Sequence, residues 1–471
     1  MPVDREAVRD TAKYLRRIRP IDPAEVAEYV PDQPDPRVIR QVLREHAVDL
    51  GIAEGPDGRF RPAATGPFRP PFDGVEALPD EYEERLTDLL VEAYGPDWHR
   101  GETGAAIRER IDRLKADYFA GRPVDYDRDG ALAYAVYHLA DYYASTQYVL
   151  AELARDGLVP SQARVLDVGA GVGGPALALA DFFDVSDRDP DSLPVLSLHA
   201  VEPSAAVGVL EELLGSGPRN VTVSTHHETA EAFESEWDFD LIFFNNVLSE
   251  LDSPVETAER YLDRLAPDGS LVLVAPADRD TSTQLREVER ALEARGATVY
   301  GPTVRLWPNE RPTETCWSFD RRPDIAVPSF QAALAAAADR PATVENTSVK
   351  YSYAVLRTDG KRRVEVDLDR SNVAKLADLP ESVGKRIDLV LAKLSRDLST
   401  DGHPLYKVSD GSESENVFAV LVNETELNRA LREAGYGDLL SVERGLLLWN
   451  DDEGAFNVVV DEQTVVDALE R

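Results

Sequence analysis

The sequence predicts an α/β chain. A doubly wound sheet of seven strands occupies residues 161–360, a helical region with a wing precedes it, and a small β-barrel follows. Three observations predict this. Between 164 and 358, short apolar runs alternate with segments of helical periodicity, the pattern of parallel strands covered on both faces. The 471 residues exceed what one core accommodates. After residue 380 the order of elements changes to strand, strand, strand, helix, strand, strand.

Residues 1–65 open with "REAVRDTAKYLRRI", which has apolar residues at helical spacing. "DPAEVAEYV" and "DPRVIRQVLREHAVDLGI" each begin with an aspartate cap and a proline at the first helical position. "AEGPDGRFRPA" reads as a hairpin. Three helices and a hairpin are the layout of a winged helix–turn–helix, a unit that binds nucleic acid or protein. Residues 66–160 follow through a Pro-rich linker, "TGPFRPPFDG", and read as mostly helical. "DGALAYAVYHLADYYASTQYVLAELARDG" (129–157) carries a ladder of Tyr134, Tyr137, Tyr142, Tyr143 and Tyr148, with His138 among them. Such a stripe lines a substrate cleft or forms a core face.

The strands of 161–360 are expected at 164–169, 195–203, 220–225, 239–247, 270–276 and 297–302, with helices between them and one over 282–296. "VKYSYAVLRT" (349–358) alternates apolar and polar residues and is expected as an antiparallel edge strand. An acidic loop, "DVSDRDPDSLP", lengthens the path to the second strand. An insert at 303–348 holds "RLWPNERPTETCWSFDRRP" and "QAALAAAA"; irregular inserts of this length are commonly functional or partner surfaces. Residues 380–471 have the strand order of an OB-fold barrel. Its Tyr406, Phe418 and Trp449 either stack on single-stranded nucleic acid or fill the barrel.

The net charge is −36, and only eight of the 51 basic residues are lysine. Dispersed acid, scarce lysine and a single Met and Cys resemble a haloarchaeal composition, in which acidic surface maintains solubility in molar salt. At that salt the Debye length is roughly 3 Å. The charge therefore neither excludes nor supports an RNA partner. The lone Cys316 excludes a disulfide framework and any Cys-based metal or iron–sulfur cage within the chain. No membrane span or signal-peptide core is present in the sequence, so a cytoplasmic protein is expected.

Chemistry concentrates at "RVLDVGAGVGG" (164–174). Gly169, Gly171 and Gly174 satisfy the dinucleotide fingerprint G-x-G-x-x-G, while Asp167, Gly169 and Gly171 satisfy D-x-G-x-G, the pattern of S-adenosylmethionine (SAM) methyltransferases. A carboxylate just before the turn repels a pyrophosphate and attracts a cationic ligand, so Asp167 favours SAM. The backbone of Gly169, Ala170 and Gly171 is expected against the amino-acid half of SAM, where an absent Cβ permits close approach. Glu202, at the end of the second strand, can accept both ribose hydroxyls, in SAM or in NAD. His227 and Glu228 either flank the adenine or begin a solvated helix. Asn245 and Asn246, after the fourth strand, lie beside the methyl-donor position; Asn245 is a candidate cofactor ligand, both are candidates for orienting an acceptor, and no general base stands out. Cys316 as a covalent nucleophile is disfavoured, since it follows the sixth strand rather than the fourth or fifth.

At "FNNVLSEL" (244–251) the chain resembles the mitochondrial small-ribosomal-subunit methyltransferase-like family and its bacterial and archaeal relatives. The resemblance is carried by "YAVYHLADYYASTQYVLAELA", "ARVLDVGAGVGGPALALA", "NVLSELDS", "LAPDGSLVLVAPAD", "LREVERALEARGATVYGP", "CWSF" and "KYSYAVLR", over roughly 130–358. It implies SAM as cofactor, Asp167, Gly169, Gly171 and Glu202 as its ligands, and the small ribosomal subunit or its rRNA as partner. Relatives carry several cysteines near the sixth strand that can hold an iron–sulfur cluster; here only Cys316 remains. The resemblance admits a non-catalytic SAM-binding assembly factor as well as an enzyme. A small-molecule methyltransferase with an N-terminal specificity domain and a winged-helix regulator are the further alternatives.

Overall fold

The structure is a computed structural model. It describes residues 3–122, 124–184, 193–215, 217–338, 340–365 and 372–469. Residues 185–192 of the acidic loop lie outside them. The chain divides into two compact units, residues 1–245 with 264–269 and 323–349, and residues 246–263 with 270–322 and 350–471.

The first unit opens with α1 (Arg5–Leu15), α2 (Pro23–Tyr29), α3 (Pro36–Glu45) and α4 (Ala47–Leu50), followed by a hairpin of β1 (Ile52–Glu54) and β2 (Phe60–Pro62). Asp4, Asp22 and Asp35 cap the first three helices, each accepting a backbone N–H of the first turn. Three further helices follow: α5 (Asp80–Tyr94), α6 (Gly101–Phe119) and α7 (Arg128–Arg155). The Pro-rich linker is packed down rather than free, with the buried Phe68 ring against Phe182 and Phe183.

Four strands of the sheet belong to this unit: β3 (Gln162–Val168), β4 (Val195–Val201), β5 (Val221–His226) and β6 (Phe239–Asn245). Their pairings with one another are parallel. Helix α8 (Gly174–Phe183) follows β3, and α9 (Ala206–Leu214) follows β4. No helix lies between β5 and β6, so the expected alternation lapses there. The N-terminal module sits at the amino ends of these strands. Leu193 and Val195 share its apolar core, Glu54 N–H donates to Asn220, and Arg164 pairs with Asp49 at 2.7 Å. It therefore occupies the opposite strand ends from Asp167 and Glu202.

The second unit carries α10 (Pro254–Leu262), most of β7 (Leu265–Pro276), α11 (Arg279–Ala294), β8 (Thr298–Gly301), the short β9 (Asp320–Arg321) and β10 (Lys350–Arg357). Helix α12 (Ser329–Ala335), within the insert, belongs to the first unit. The expectation for residues 349–358 is half corrected. β10 is antiparallel, but it pairs with β7 on one side and β8 on the other, so it is an interior strand. The strand order is β5-β4-β3-β6-β7-β10-β8, with β9 on β10. That is a mixed, seven-stranded doubly wound sheet.

A closed five-stranded barrel follows: β11 (Arg386–Lys393), β12 (Leu405–Ser409), β13 (Asn416–Leu421), then α13 (Ala430–Glu433), β14 (Leu439–Asn450) and β15 (Ala455–Val460). β13 and β15 pair in parallel and β11 and β14 close the ring, the OB topology; β16 (Val465–Ala468) adds an outer strand on β14. Tyr406 is buried in the barrel core, so it fills the barrel and is not a stacking platform. Trp449 is exposed and Phe418 half-buried. Among the described residues no helix is long and apolar enough to cross a membrane.

Candidate cofactor and active site

The site forms where β3 ends. Gly169 and Gly171 both take left-handed φ, +73° and +54°, which lets the chain leave the strand and turn tightly towards α8. The Gly169 and Ala170 N–H groups both donate to the Val201 carbonyl, at 2.9 and 3.0 Å. The Gly171 N–H donates to Glu202 Oε2 at 3.0 Å, and Ser204 N–H donates to Glu202 Oε1 at 2.9 Å. All three turn amides are thus committed within the chain. The turn offers a ligand its bare Cα surface rather than free donors. A Cβ built on Gly171 would meet nothing within 4 Å, so that surface faces open space. Glu202 fastens the turn with one lone pair per oxygen and keeps further acceptor sites, as an ionised carboxylate has about four. The sequence marked Glu202 for a ribose; its grip on the turn had no sequence signal.

Asp167 and Asn245 close the other side, at the carboxyl ends of β3 and β6. Both are buried, and Asn245 Nδ2 lies 3.4 Å from Asp167 Oδ1. Among the described residues, Asp167 Oδ2 and Asn245 Oδ1 have no hydrogen-bond partner. Two orphaned acceptors side by side are costly unless a donor arrives. Burial raises the Asp167 carboxyl to about 7; the Asn245 amide opposes this and the Glu202 charge adds to it. A cation or a multiple N–H donor is the group this pair is built to receive.

His227 and Glu228 are exposed just beyond β5, in a segment with no helix, so the helix-start reading is corrected. His227 Nε2 lies 3.7 Å from Glu211 on α9. Asn246 begins the second unit, with φ +56° and its N–H bonded to the Val274 carbonyl at 2.9 Å. Cys316 is buried, and burial with Glu314 nearby pushes its thiol up to about 12, which rules out a thiolate nucleophile at neutral pH.

A model described as "methyltransferase domain" matches residues 138–327. That match covers less than half of the chain and makes residues 138–327 similar to a methyltransferase domain. The N- and C-terminal domains of a family described as "domain of unknown function (DUF8157)" match on either side of it, over residues 5–56 and 377–469. No specific ribosomal family is among these matches. None of the curated proteins matches the chain. Among solved structures, it is similar to a TehB-like SAM-dependent methyltransferase from Corynebacterium glutamicum, with 14% identity and a TM-score of 0.27 over 54% of this chain and 98% of that one. It is also similar to a SAM-dependent methyltransferase from Aquifex aeolicus, with 20% identity and a TM-score of 0.26 over 42% and 92%. A SAM-bound amino pentose methyltransferase from Micromonospora echinaspora shares 20% identity, with a TM-score of 0.22 over 28% and 50%. The chain thus spans only half the length of that last relative.

The residues around the turn fit SAM on their own geometry. The α-ammonium of SAM would supply the donors that Asp167 Oδ2 and Asn245 Oδ1 lack. Gly171 leaves room for the ligand, and Glu202 retains acceptor capacity for hydroxyls.

Proposed function

We propose that this chain transfers the methyl group of SAM to a nucleotide of small-subunit ribosomal RNA. The observation that carries the methyl-donor half is the pair of orphaned acceptors, Asp167 Oδ2 and Asn245 Oδ1, beside the open turn at Gly171. Support for the acceptor half comes from the sequence resemblance over 130–358 and from the OB topology of residues 386–460, a barrel type that commonly holds single strands.

SAM supplies an already activated methyl group, so orientation and exclusion of water are the protein's main contributions. Asp167 and Asn245 anchor the amino-acid end, Gly169–Gly171 set its depth, and Glu202 holds the ribose while bracing the turn.

Calorimetric titration with SAM, in molar KCl, tests this reading. Binding near neutral pH is expected to release protons, because a cation beside Asp167 lowers a carboxyl that stands at about 7 in the free protein. Asp167→Ala and Glu202→Ala should each abolish the heat. Tritium transfer from labelled SAM to an in vitro transcript of small-subunit rRNA is expected in the intact chain. Binding without transfer to that transcript would point instead to a SAM-binding assembly factor. Binding of NAD and not SAM would overturn the reading.

A further inference from the structure

One titratable cluster of the first unit plays no part in holding the cofactor. His138 stands on α7 with Tyr134 four residues before it and Tyr142 four after, a column along one helix face. Its ring stacks on Tyr142, with centroids 4.6 Å apart and planes 20° from parallel. Tyr134 lies at 4.9 Å and Tyr137 meets the ring edge-on at 4.7 Å. Three tyrosines therefore fix the imidazole plane.

His138 Nδ1 lies 3.4 Å from Asp141 Oδ2. Asn346 Nδ2 reaches the same corner, at 3.4 Å from Nδ1, while donating to the Tyr137 carbonyl at 3.1 Å. Asp141 Oδ1 is buried without a hydrogen-bond partner among the described residues. Burial opposes charge on Asp141, while His138 and the Asn346 amide beside it favour the carboxylate; with the Asn346 amide donating to the Tyr137 carbonyl, a ring proton on Nδ1 faces Asp141 Oδ2 and leaves Nε2 bare. Among the described residues, nothing hydrogen-bonds Nε2, and the side chain keeps 24% of its exposure. A largely buried carboxylate behind a plane-locked imidazole with one open nitrogen is the layout of a base that an acid orients.

The column leads to the glycine turn. A Cβ on Gly174, the first residue of α8, would lie 3.1 Å from both the Leu139 carbonyl and Tyr142 Cβ. Tyr142 thus abuts the end of the turn, and His138 stands one helical turn further along the same face.

We propose that His138, oriented by Asp141 and the tyrosine column, is the general base that takes the acceptor's proton during methyl transfer. This rests on the methyltransferase reading above. The acceptor is then an N–H or O–H group that must lose a proton as it is methylated. Its lone pair forms the bond to the methyl carbon, the bond from that carbon to sulfur breaks with its electrons remaining on sulfur, and the proton passes to Nε2. The Asp141 carboxylate stabilises the resulting imidazolium.

The test uses the full chain with ¹⁵N-labelled histidine, titrated with S-adenosylhomocysteine as the probe. The His138 signal is assigned by its loss in His138→Gln. The expected spectrum shows the Nδ1–H tautomer, a shift of the His138 ring on ligand binding, and loss of that tautomer preference in Asp141→Asn. Binding that leaves the His138 ring unmoved, or an Nε2–H tautomer in the intact chain, overturns the proposal and spares the methyltransferase reading. No binding of the probe overturns that reading, and the proposal with it. With the rRNA transcript as acceptor, His138→Gln should slow transfer about 10²–10⁴-fold with SAM affinity unchanged. Unchanged transfer overturns the base role, and a fall in SAM affinity to match the rate reduces His138 to a structural part of the pocket.

Discussion

Asp167 is a carboxyl group folded into surroundings that oppose its charge. Burial lifts it to about 7, while in the unfolded chain it titrates near 4. Between those two pH values the folded protein keeps a proton that the unfolded chain has lost. The unfolded state therefore binds fewer protons, and stability falls as pH rises through that window. Asp167→Asn removes this dependence. Without ligand, the variant should be more stable than the parent at pH 8 by about 2–4 kcal/mol, given 1.36 kcal/mol per tenfold change in protonation. The gap should close towards pH 4, and SAM binding should be lost. Denaturant titrations across pH 4–8 check this, and parallel stability profiles would sink it. The sequence placed Asp167 at the turn through its D-x-G-x-G spacing. It could not show that Asn245, 78 residues on, would share the same pocket, because parallel strands bring together residues with no local periodicity.

At the scale of elements, β10 shows why an interior strand reads as an edge. Alternation in "KYSYAVLR" suggested one wet face, yet seven of its eight residues are buried. Ser352 Oγ is satisfied inside, by Ser282 Oγ at 2.6 Å and the Ser318 carbonyl at 2.7 Å, and Arg357 pairs with Asp359. A polar residue with an internal partner mimics a solvent-facing one in sequence. The run after β8 is governed likewise by partners remote in sequence. Leu306 N–H donates to the Asp410 carbonyl, Trp307 Nε1 to the Asp410 carboxylate at 2.6 Å, and Thr313 N–H to the Glu413 carbonyl. This tie to the loop after β12 depends on Gly411, whose φ is +83°; a Cβ there would lie 2.1 Å from the Val304 carbonyl oxygen. Backbone cannot yield as a flexible side chain does, so Gly411→Ala should cost upwards of about 3 kcal/mol. Gly454→Ala, at φ +57° with nothing within 4 Å of its Cβ, should cost only about 1–2 kcal/mol of left-handed strain. Equal denaturant midpoints for the two variants would refute the steric tie.

At the scale of the whole molecule, charge outweighs any single contact. A net −36 repels itself in every compact state, and among the described residues most of the ion pairs involve exposed groups that individually contribute little. At 0.01 M salt the Debye length is about 30 Å and the repulsion acts across a domain; at 1 M it is about 3 Å and only close pairs remain. The buried pairs, Arg286–Glu289, Arg305–Glu289 and Lys407–Glu314, are shielded from that screening. Raising KCl from 0.01 to 1 M should therefore remove repulsion while leaving the buried network intact, and the melting temperature should rise steeply across that range. Sodium chloride should act alike, because screening depends on ionic strength rather than on a bound ion. A melting temperature that is flat in salt would mean that the acidic surface sets solubility alone. A response to potassium and not sodium would mean that specific cation sites, and not the summed field, hold the fold together.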